Sequence, residues 1–179
     1  MRAHDEQVLA DDLIYDGKLI KLHRLTVRLP NGAHAQREVI YHPGAVAMVP
    51  LLENGDVLLV RQFRAAVGKV LLEIPAGTLE AGEAPDAAAV RELQEEVGYR
   101  PGKLERLGDE FTAPGYTSER IHLYLATELT PSRLQQDSDE FIDVVRMSFD
   151  EALARAERGA LEDGKTLVGL LLTARRLGR

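Results

Sequence analysis

The stretch that decides the fold is GTLEAGEAPDAAAVRELQEEVGY, residues 77–99. Its second half has the features of a helix. Pro85 suits the first helical turn, and Gly98 suits the position just after the last one. Three apolar residues would share the buried face of that helix: Val90, Leu93 and Val97. The stretch therefore predicts a loop followed by a helix over 85–97.

Three glutamates lie three and four positions apart on a different face of the predicted helix: Glu92, Glu95 and Glu96. Like charges at this spacing cost about 0.2–0.5 kcal/mol per exposed pair, and only Arg91, by pairing with Glu95, would offset part of that cost. One reading is a solvated acidic face. The other reading is a site for a hard cation such as Mg²⁺. We favour it because repulsion between clustered like charges that neighbouring residues do not fully offset points to a function.

The composition limits the class of protein. The 179 residues are enough for one core plus a small extension, and no apolar run approaches the roughly 20 residues that span a membrane. The net charge of −7 argues against nonspecific binding to nucleic acid. The chain has no cysteine, and its first residues, MRAHDEQVLADD, are too polar for a secretory signal. We expect a cytoplasmic protein without nucleic-acid or membrane partners.

Turn and strand signals predict the order of the elements. A long hairpin over 18–41 would turn at Asn31-Gly32, and VAMVPLL and VLLVRQF would form a second hairpin around Asn54-Gly55. Further strands are expected at 71–74, 104–112, 120–127 and 142–147, and helices at 148–158 and 166–177. A hairpin alone is marginal in water, so the first must pack on the rest of the chain or on a second copy. The predicted boundary separates an N-terminal hairpin region, 1–42, from a main domain, 43–179.

The stretch at 77–99 resembles the Nudix box, the signature of the Nudix hydrolases. Gly77, Glu83 and RELQEEVG at 91–98 match all of its fixed positions, and only Tyr99 departs from the aliphatic residue that is commoner there. The resemblance implies an α/β fold, namely an α/β/α sandwich with a mixed sheet, with the N-terminal antiparallel hairpin as a small additional domain. It also implies a pyrophosphohydrolase that acts on a nucleoside diphosphate linked to another group.

The resemblance implies metal ligands: Glu92 and Glu96 as the principal ones, Glu95 as an additional one, and the backbone carbonyl of Ala76. Two or more Mg²⁺ ions, with Mn²⁺ as a possible substitute, would polarise the pyrophosphate and lower the pKa of the attacking water. Glu83 and Arg91 would brace the loop by pairing with each other. Gly77 and Gly82 would supply turn conformations.

Three further stretches resemble the ADP-ribose pyrophosphatase branch: VRQFR, LLEIPAG and APGYTSER, which has Ala where the branch commonly has Ser before Pro-Gly. The likeness implies that Arg64 contacts substrate phosphate or ribose and that Glu119 binds a ribose hydroxyl. It places Arg37 and Glu38 on a hairpin that is often exchanged between two subunits and reaches the adenosine. We therefore expect a homodimer that hydrolyses ADP-ribose to AMP and ribose 5-phosphate.

The general base is expected in QQDSDEF, residues 135–141, because the family uses a late acidic loop for this purpose. Glu140 falls where the family usually has a glutamate, and Ser138 stands where many members have a second one. Glu140 is thus expected as base, as metal ligand, or as both in different states. With Glu95 and Glu96 it completes the predicted catalytic set.

Two alternatives stay open. The substrate could be another nucleoside diphosphate sugar, such as GDP-mannose or a different ADP-sugar. From another class, the chain could be a non-catalytic ADP-ribose sensor domain. The intact carboxylates of the box speak against a sensor, because they would then have no purpose.

Overall fold

The computed structural model describes residues 4–135 and 141–179. The chain divides into two compact units. The first comprises the residues up to Gly44 together with 111–120, and the second comprises 45–110 and 121–179. No helix in the described part of the chain is both long and apolar enough to cross a membrane.

The first unit contains a three-stranded antiparallel sheet with the order β1-β2-β3. Its strands are β1 (Gln7–Asp16), β2 (Lys21–Arg28) and β3 (His34–Tyr41). The predicted pairing of β2 with β3 is confirmed, with Gly32 in the connecting turn at φ +86°. The expectation of a two-stranded hairpin was wrong, because β1 adds a third strand.

Strand β1 was not predicted from the sequence, for two physical reasons. All ten of its residues are exposed, and two register shifts interrupt the alternation by which a strand is recognised. Its acidic pair, which looks like a polar tail, faces nitrogen-bearing side chains on β2: Asp11 lies 2.5 Å from His23 Nδ1, and Asp12 lies 3.5 Å from Arg24 Nη2.

The segment 111–120 is hydrogen-bonded to the end of β3. The Ile40 N–H donates to the carbonyl of Tyr116 at 2.7 Å, and the Ser118 N–H donates to the carbonyl of Ile40 at 2.9 Å. The His42 N–H then donates to Ser118 Oγ at 3.0 Å. This contact fixes the APGYTSER motif against the N-terminal sheet.

Over its described residues, the second unit holds seven strands, three helices and one π-helical turn. The strands are β4 (Ala45–Pro50), β5 (Asp56–Arg64), β6 (Lys69–Glu73), β7 (Ala76–Thr78), β8 (Tyr99–Phe111), β9 (Arg120–Pro131) and β10 (Ile142–Ser148). The helices are α1 (Pro85–Glu92), α2 (Phe149–Glu157) and α3 (Gly164–Leu177), and the π-helical turn is Leu93–Val97. One sheet is mixed, with the order β7-β4-β9-β8 and β4 parallel to β9; the other is antiparallel, with the order β10-β5-β6.

The predicted second hairpin was wrong. The turn at Asn54-Gly55 is present, with Gly55 at φ +86° and its N–H donating to the carbonyl of Leu52. Yet β4 and β5 belong to different sheets and share only an isolated bridge between Leu51 and Val57. Each strand finds its hydrogen-bond partners elsewhere, β4 in β7 and β9, and β5 in β6 and β10.

Helices cover both faces of the central strands. Alternate residues of β4 enter two separate cores, as expected for a strand buried on both sides. We call α1 and the π-helical turn that continues it, residues 85–97, the box helix. One core joins Val46 and Met48 to Ala89 and Leu93 of this helix. The other joins Ala47 and Val49 to Phe149 and Leu170. This α/β/α layering confirms the expected fold class.

The helix ends follow their sequence signals. Ser148 caps α2 by accepting the Glu151 N–H at 3.2 Å, as the SFDE pattern predicts. Asp163 caps α3 by accepting the Thr166 N–H at 3.0 Å, so this helix begins two residues before its predicted start. Gly98 ends the box helix at φ +76°.

Candidate active site

The box helix widens at its end. The N–H of Gly98 donates to the carbonyl of Leu93, five residues back, instead of to that of Gln94. The Gln94 carbonyl is therefore available to another donor, and it accepts the N–H of Leu134 at 3.1 Å. The Gln94 side chain adds a second bond, from Nε2 to Ser132 Oγ at 2.8 Å. Such π-helical turns occur frequently at functional sites, and this one carries two of the three glutamates.

The glutamates are not a solvated acidic face. Glu92 and Glu96 are 7% and 4% exposed. Glu96 Oε2 accepts the N–H of Ala76 at 3.0 Å, which joins the helix to the start of β7. A buried carboxylate needs compensation, and an uncompensated one would be neutralised instead.

Gly77 makes room for Glu92. A Cβ at Gly77 would lie 1.9 Å from Glu92 Cδ, closer than any real contact. Gly82 has φ +79° and does supply the turn conformation expected of it, whereas Gly77 is not among the glycines at positive φ. The first glycine of the box is thus needed for close approach and not for its backbone angle.

Arg91 connects the loop to the acidic cluster. Its Nε and Nη2 each donate to Glu83 at 2.9 Å, which confirms the predicted brace. Its Nη1 donates to Glu92 at 2.7 Å and to Glu95 at 2.9 Å. The bond to Glu83 raises the pKa of Arg91, and the same bond lowers the pKa of Glu83. One guanidinium is therefore hydrogen-bonded to three carboxylates.

The donor set fits a hard divalent cation. Glu92, Glu95 and Glu96 offer only oxygen atoms, within little more than one helical turn, which is the ligand chemistry that Mg²⁺ prefers. Among the residues that the structure describes, no three acidic or histidine side chains already converge as a metal cage. The arrangement suits an ion that keeps several waters and takes one or two carboxylates, as Mg²⁺ commonly does. The carbonyl of Ala76 as a ligand stays a prediction.

Arg64 is held by a residue that the sequence analysis did not single out. Its Nε and Nη2 donate to the two carboxylate oxygens of Glu73 at 2.8 and 2.7 Å. Glu73 is fully buried and also bonds the ammonium of Lys165. Burial raises the pKa of Glu73, but the bonds from Arg64 and the charge of Lys165 outweigh it, and the pKa lies below its ordinary value. A charge in the otherwise apolar LLEI run was the signal that could have identified Glu73.

The other expected substrate residues lie in the first unit. Glu119 accepts the Thr112 hydroxyl at 2.8 Å, and its carboxylate is 3.9 Å from His42 Nε2. Arg37 donates to Glu6 through Nε at 3.1 Å and Nη2 at 2.5 Å, and Glu38 is exposed on the same strand. Their contacts with substrate stay predictions.

Glu140 and its acidic neighbours Asp137 and Asp139 lie outside the described residues, as does Ser138. The role of Glu140 as base or metal ligand stays a prediction.

A family model described as the NUDIX domain matches residues 41–168. The chain belongs to this family. The NUDIX chain is 39% identical over 168 residues to the ADP-ribose pyrophosphatase of Bacillus subtilis (strain 168), with 93% of this chain and 91% of the relative covered. It is 38% identical over 168 residues to the methanol dehydrogenase activator of Bacillus methanolicus, again with 93% and 91% coverage.

The NUDIX fold also matches a crystal structure of an ADP compounds hydrolase. The TM-score is 0.88, with 99% of this chain and 97% of the other covered. The identity is 24%, so this likeness supports the fold alone.

Proposed function

We propose that this NUDIX protein hydrolyses the pyrophosphate of ADP-ribose to AMP and ribose 5-phosphate. Mg²⁺ is the proposed metal, with Mn²⁺ as a possible substitute. The observation that carries the proposal is the acidic cluster of the box, in which Glu92 and Glu96 are buried and Arg91 is hydrogen-bonded to Glu92 and Glu95. A protein that only binds its ligand would have no need to keep these charges out of water.

The chain's own residues have separate tasks. Glu92, Glu95 and Glu96 would hold the cation, and Arg91 keeps Glu92 and Glu95 side by side at its Nη1 atom. When bound, Mg²⁺ would polarise the pyrophosphate and lower the pKa of the attacking water. Glu140 is proposed to take the proton from that water, or to bind the metal.

Substrate positioning is proposed for four residues outside the box. Arg64 would contact the phosphates or ribose, and Glu119 would accept a hydrogen bond from a ribose hydroxyl. Arg37 and Glu38 would reach the adenosine from a second copy of the chain. The protein is accordingly proposed to be a homodimer, and the cysteine-free chain suits a reducing cytoplasm.

The substrate must be tested directly, because two relatives of almost equal identity have different functions in their names. The experiment is a product assay with ADP-ribose, another ADP-sugar, GDP-mannose and NADH, each with Mg²⁺ and with EDTA. We expect AMP and ribose 5-phosphate from ADP-ribose, with the highest kcat/KM of the set and none in EDTA.

The possible outcomes separate the alternatives. Faster turnover of GDP-mannose would keep the chemistry and change the substrate. Tight ADP-ribose binding without turnover of any compound would favour the sensor. The Glu96→Gln protein, assayed beside the wild type, shows whether any AMP comes from a contaminating hydrolase.

A further inference from the structure

Glu73 is a fully buried carboxylate between two cations. Arg64 binds both of its oxygens, and Lys165, whose side chain is 11% exposed, binds Oε2 as well. Glu73 is fully buried and Lys165 nearly so, and taking these charges out of water is costly, because apolar residues in place of a buried ion pair are often as stabilising or more so. The network is therefore a candidate for a role beyond stability.

A second set of bonds fixes Lys165. Its Nζ donates to Asp163 Oδ1 at 2.9 Å. Asp163 Oδ2 accepts the N–H and the hydroxyl of Thr166, at 3.0 and 2.5 Å, and Thr166 Oγ1 accepts the Ile74 N–H at 2.8 Å. The first turn of α3 is thereby joined to the end of β6, immediately before the segment that binds Glu96.

The Nη1 atom of Arg64 is available to bind a ligand. Nε and Nη2 are both engaged by Glu73, which fixes the plane of the guanidinium. Its Nη1 makes no hydrogen bond to any residue in the described part of the chain, and 39% of the side chain is exposed. The bond to Glu73 raises the pKa of Arg64, and the negative charge of Glu96 adds to the rise.

We propose that Lys165 is a positioning residue for substrate binding: through Glu73 it holds Arg64 so that Nη1 meets an oxygen of the substrate's diphosphate. The inference rests on the proposed function and extends it to a residue outside the box. Lys165 binds Oε2 of Glu73, the same oxygen that accepts from Arg64 Nη2, so the carboxylate is held from a second side and the plane of the guanidinium stays fixed.

The first test compares Lys165→Met with Lys69→Met. The control removes an exposed lysine whose partner, Glu162, lies on the surface. For Lys165→Met we expect the KM for ADP-ribose to rise about tenfold, equivalent to about 1.4 kcal/mol, and kcat to stay within about twofold because binding and not chemistry is affected. Lys69→Met is expected to match the wild type, and Lys165→Arg, which keeps the charge, to recover most of the affinity.

The second test is a double-mutant cycle between Lys165→Met and Arg64→Lys. If Lys165 acts through Arg64, its removal should change KM little once the guanidinium is gone. Independent, additive effects of the two substitutions would overturn the inference. Thermal unfolding of each variant is measured first, and Lys165→Gln replaces Lys165→Met if the latter does not fold.

The kinetic pattern distinguishes the remaining outcomes. If Lys165→Met loses kcat at constant KM, its effect lies at Ala76 and Glu96 and the inference is overturned. A KM of Lys165→Met equal to that of Lys69→Met would also overturn it. If the wild type hydrolyses ADP-ribose and Lys165→Met has the same KM, the inference is overturned but the proposed function is left intact. Wild-type protein that neither binds nor hydrolyses ADP-ribose would defeat the proposed function, and this inference with it.

Discussion

At the scale of single residues, Gly77 shows how an absent side chain can serve a site. The carboxylate of Glu92 occupies the volume that a Cβ would take. No rotation of a methyl group can relieve a contact of 1.9 Å, so the glutamate or the loop must move. The position of one proposed metal ligand therefore depends on a residue with no chemistry of its own.

Gly77→Ala is expected to weaken the proposed metal binding while leaving the fold in place. The displaced carboxylate should raise the Mg²⁺ concentration for half-maximal activity about tenfold. Gly108→Ala is the control, because its nearest contact, Leu172, lies at an ordinary 4.0 Å. A Mg²⁺ titration of both variants checks this, and equal titration curves would show that Glu92 has room to adapt.

Glu96→Gln tests the acidic cluster itself. The amide keeps an oxygen that can accept the Ala76 N–H, so we expect a folded protein, but it removes one negative charge from the proposed cation site. Activity should fall by several orders of magnitude. Glu157→Gln, on an exposed position of α2, is the matched control. Near-normal turnover of Glu96→Gln at saturating Mg²⁺ would defeat the assignment.

The sequence predicted the site best where partners lie close along the chain. The contacts of Arg91 with Glu83 and Glu95 could be foreseen from the box, because their spacing is fixed by one loop and one helix. The partner of Arg64 is nine residues away on the next strand, and Lys165 is 92 residues from Glu73. Only the folded sheet brings these charges together, and no local pattern records that.

At the scale of elements, the cap of α2 offers a clean measurement. Ser148→Ala removes the acceptor of the Glu151 N–H and should lower the free energy of unfolding by about 1 kcal/mol. Urea unfolding measures this, with an unchanged slope expected. Ser148→Thr keeps the oxygen and should stay close to the wild type. An unaltered urea midpoint in Ser148→Ala would indicate that the cap is not formed in solution.

The existence of most elements could be predicted, but not all of their pairings. The turn at Asn54-Gly55 forms as its residues require, but the strands on either side of it, β4 and β5, belong to different sheets. Residues 45–49 of β4 and 57–60 of β5 are apolar on both faces, a pattern that indicates burial without indicating which neighbouring strand provides the hydrogen bonds. The π-helical turn left no signal, because its residues suit an ordinary helix equally well.

At the scale of the whole molecule, strand β1 has exposed apolar side chains that the proposed homodimer would bury. Among them are Leu13 and Ile14, at 50% and 51% exposure. Apolar side chains left together on a surface often mark an interaction site. It supports the proposed homodimer, in which a second copy would cover the N-terminal sheet.

Light scattering at micromolar concentration should give twice the mass of the chain. Ile14→Glu is expected to shift the protein towards the monomer, because it would bury a charge in the interface. Val67→Glu, which alters an apolar residue 56% exposed in the turn between β5 and β6, should leave the mass unchanged. A monomer for the wild type would exclude the homodimer at this concentration.

The carbonyl of Gln94, released by the wide turn, has a consequence for the modularity of the fold. Its bond to Leu134 fastens the box helix to a segment that follows β9, far along the chain. A graft of residues 77–98 into another scaffold would carry every fixed residue of the box and still leave this acceptor without its donor. The segment to be grafted is therefore discontinuous in sequence, and a functional chimera would have to contain residues 132–134 as well as 77–98.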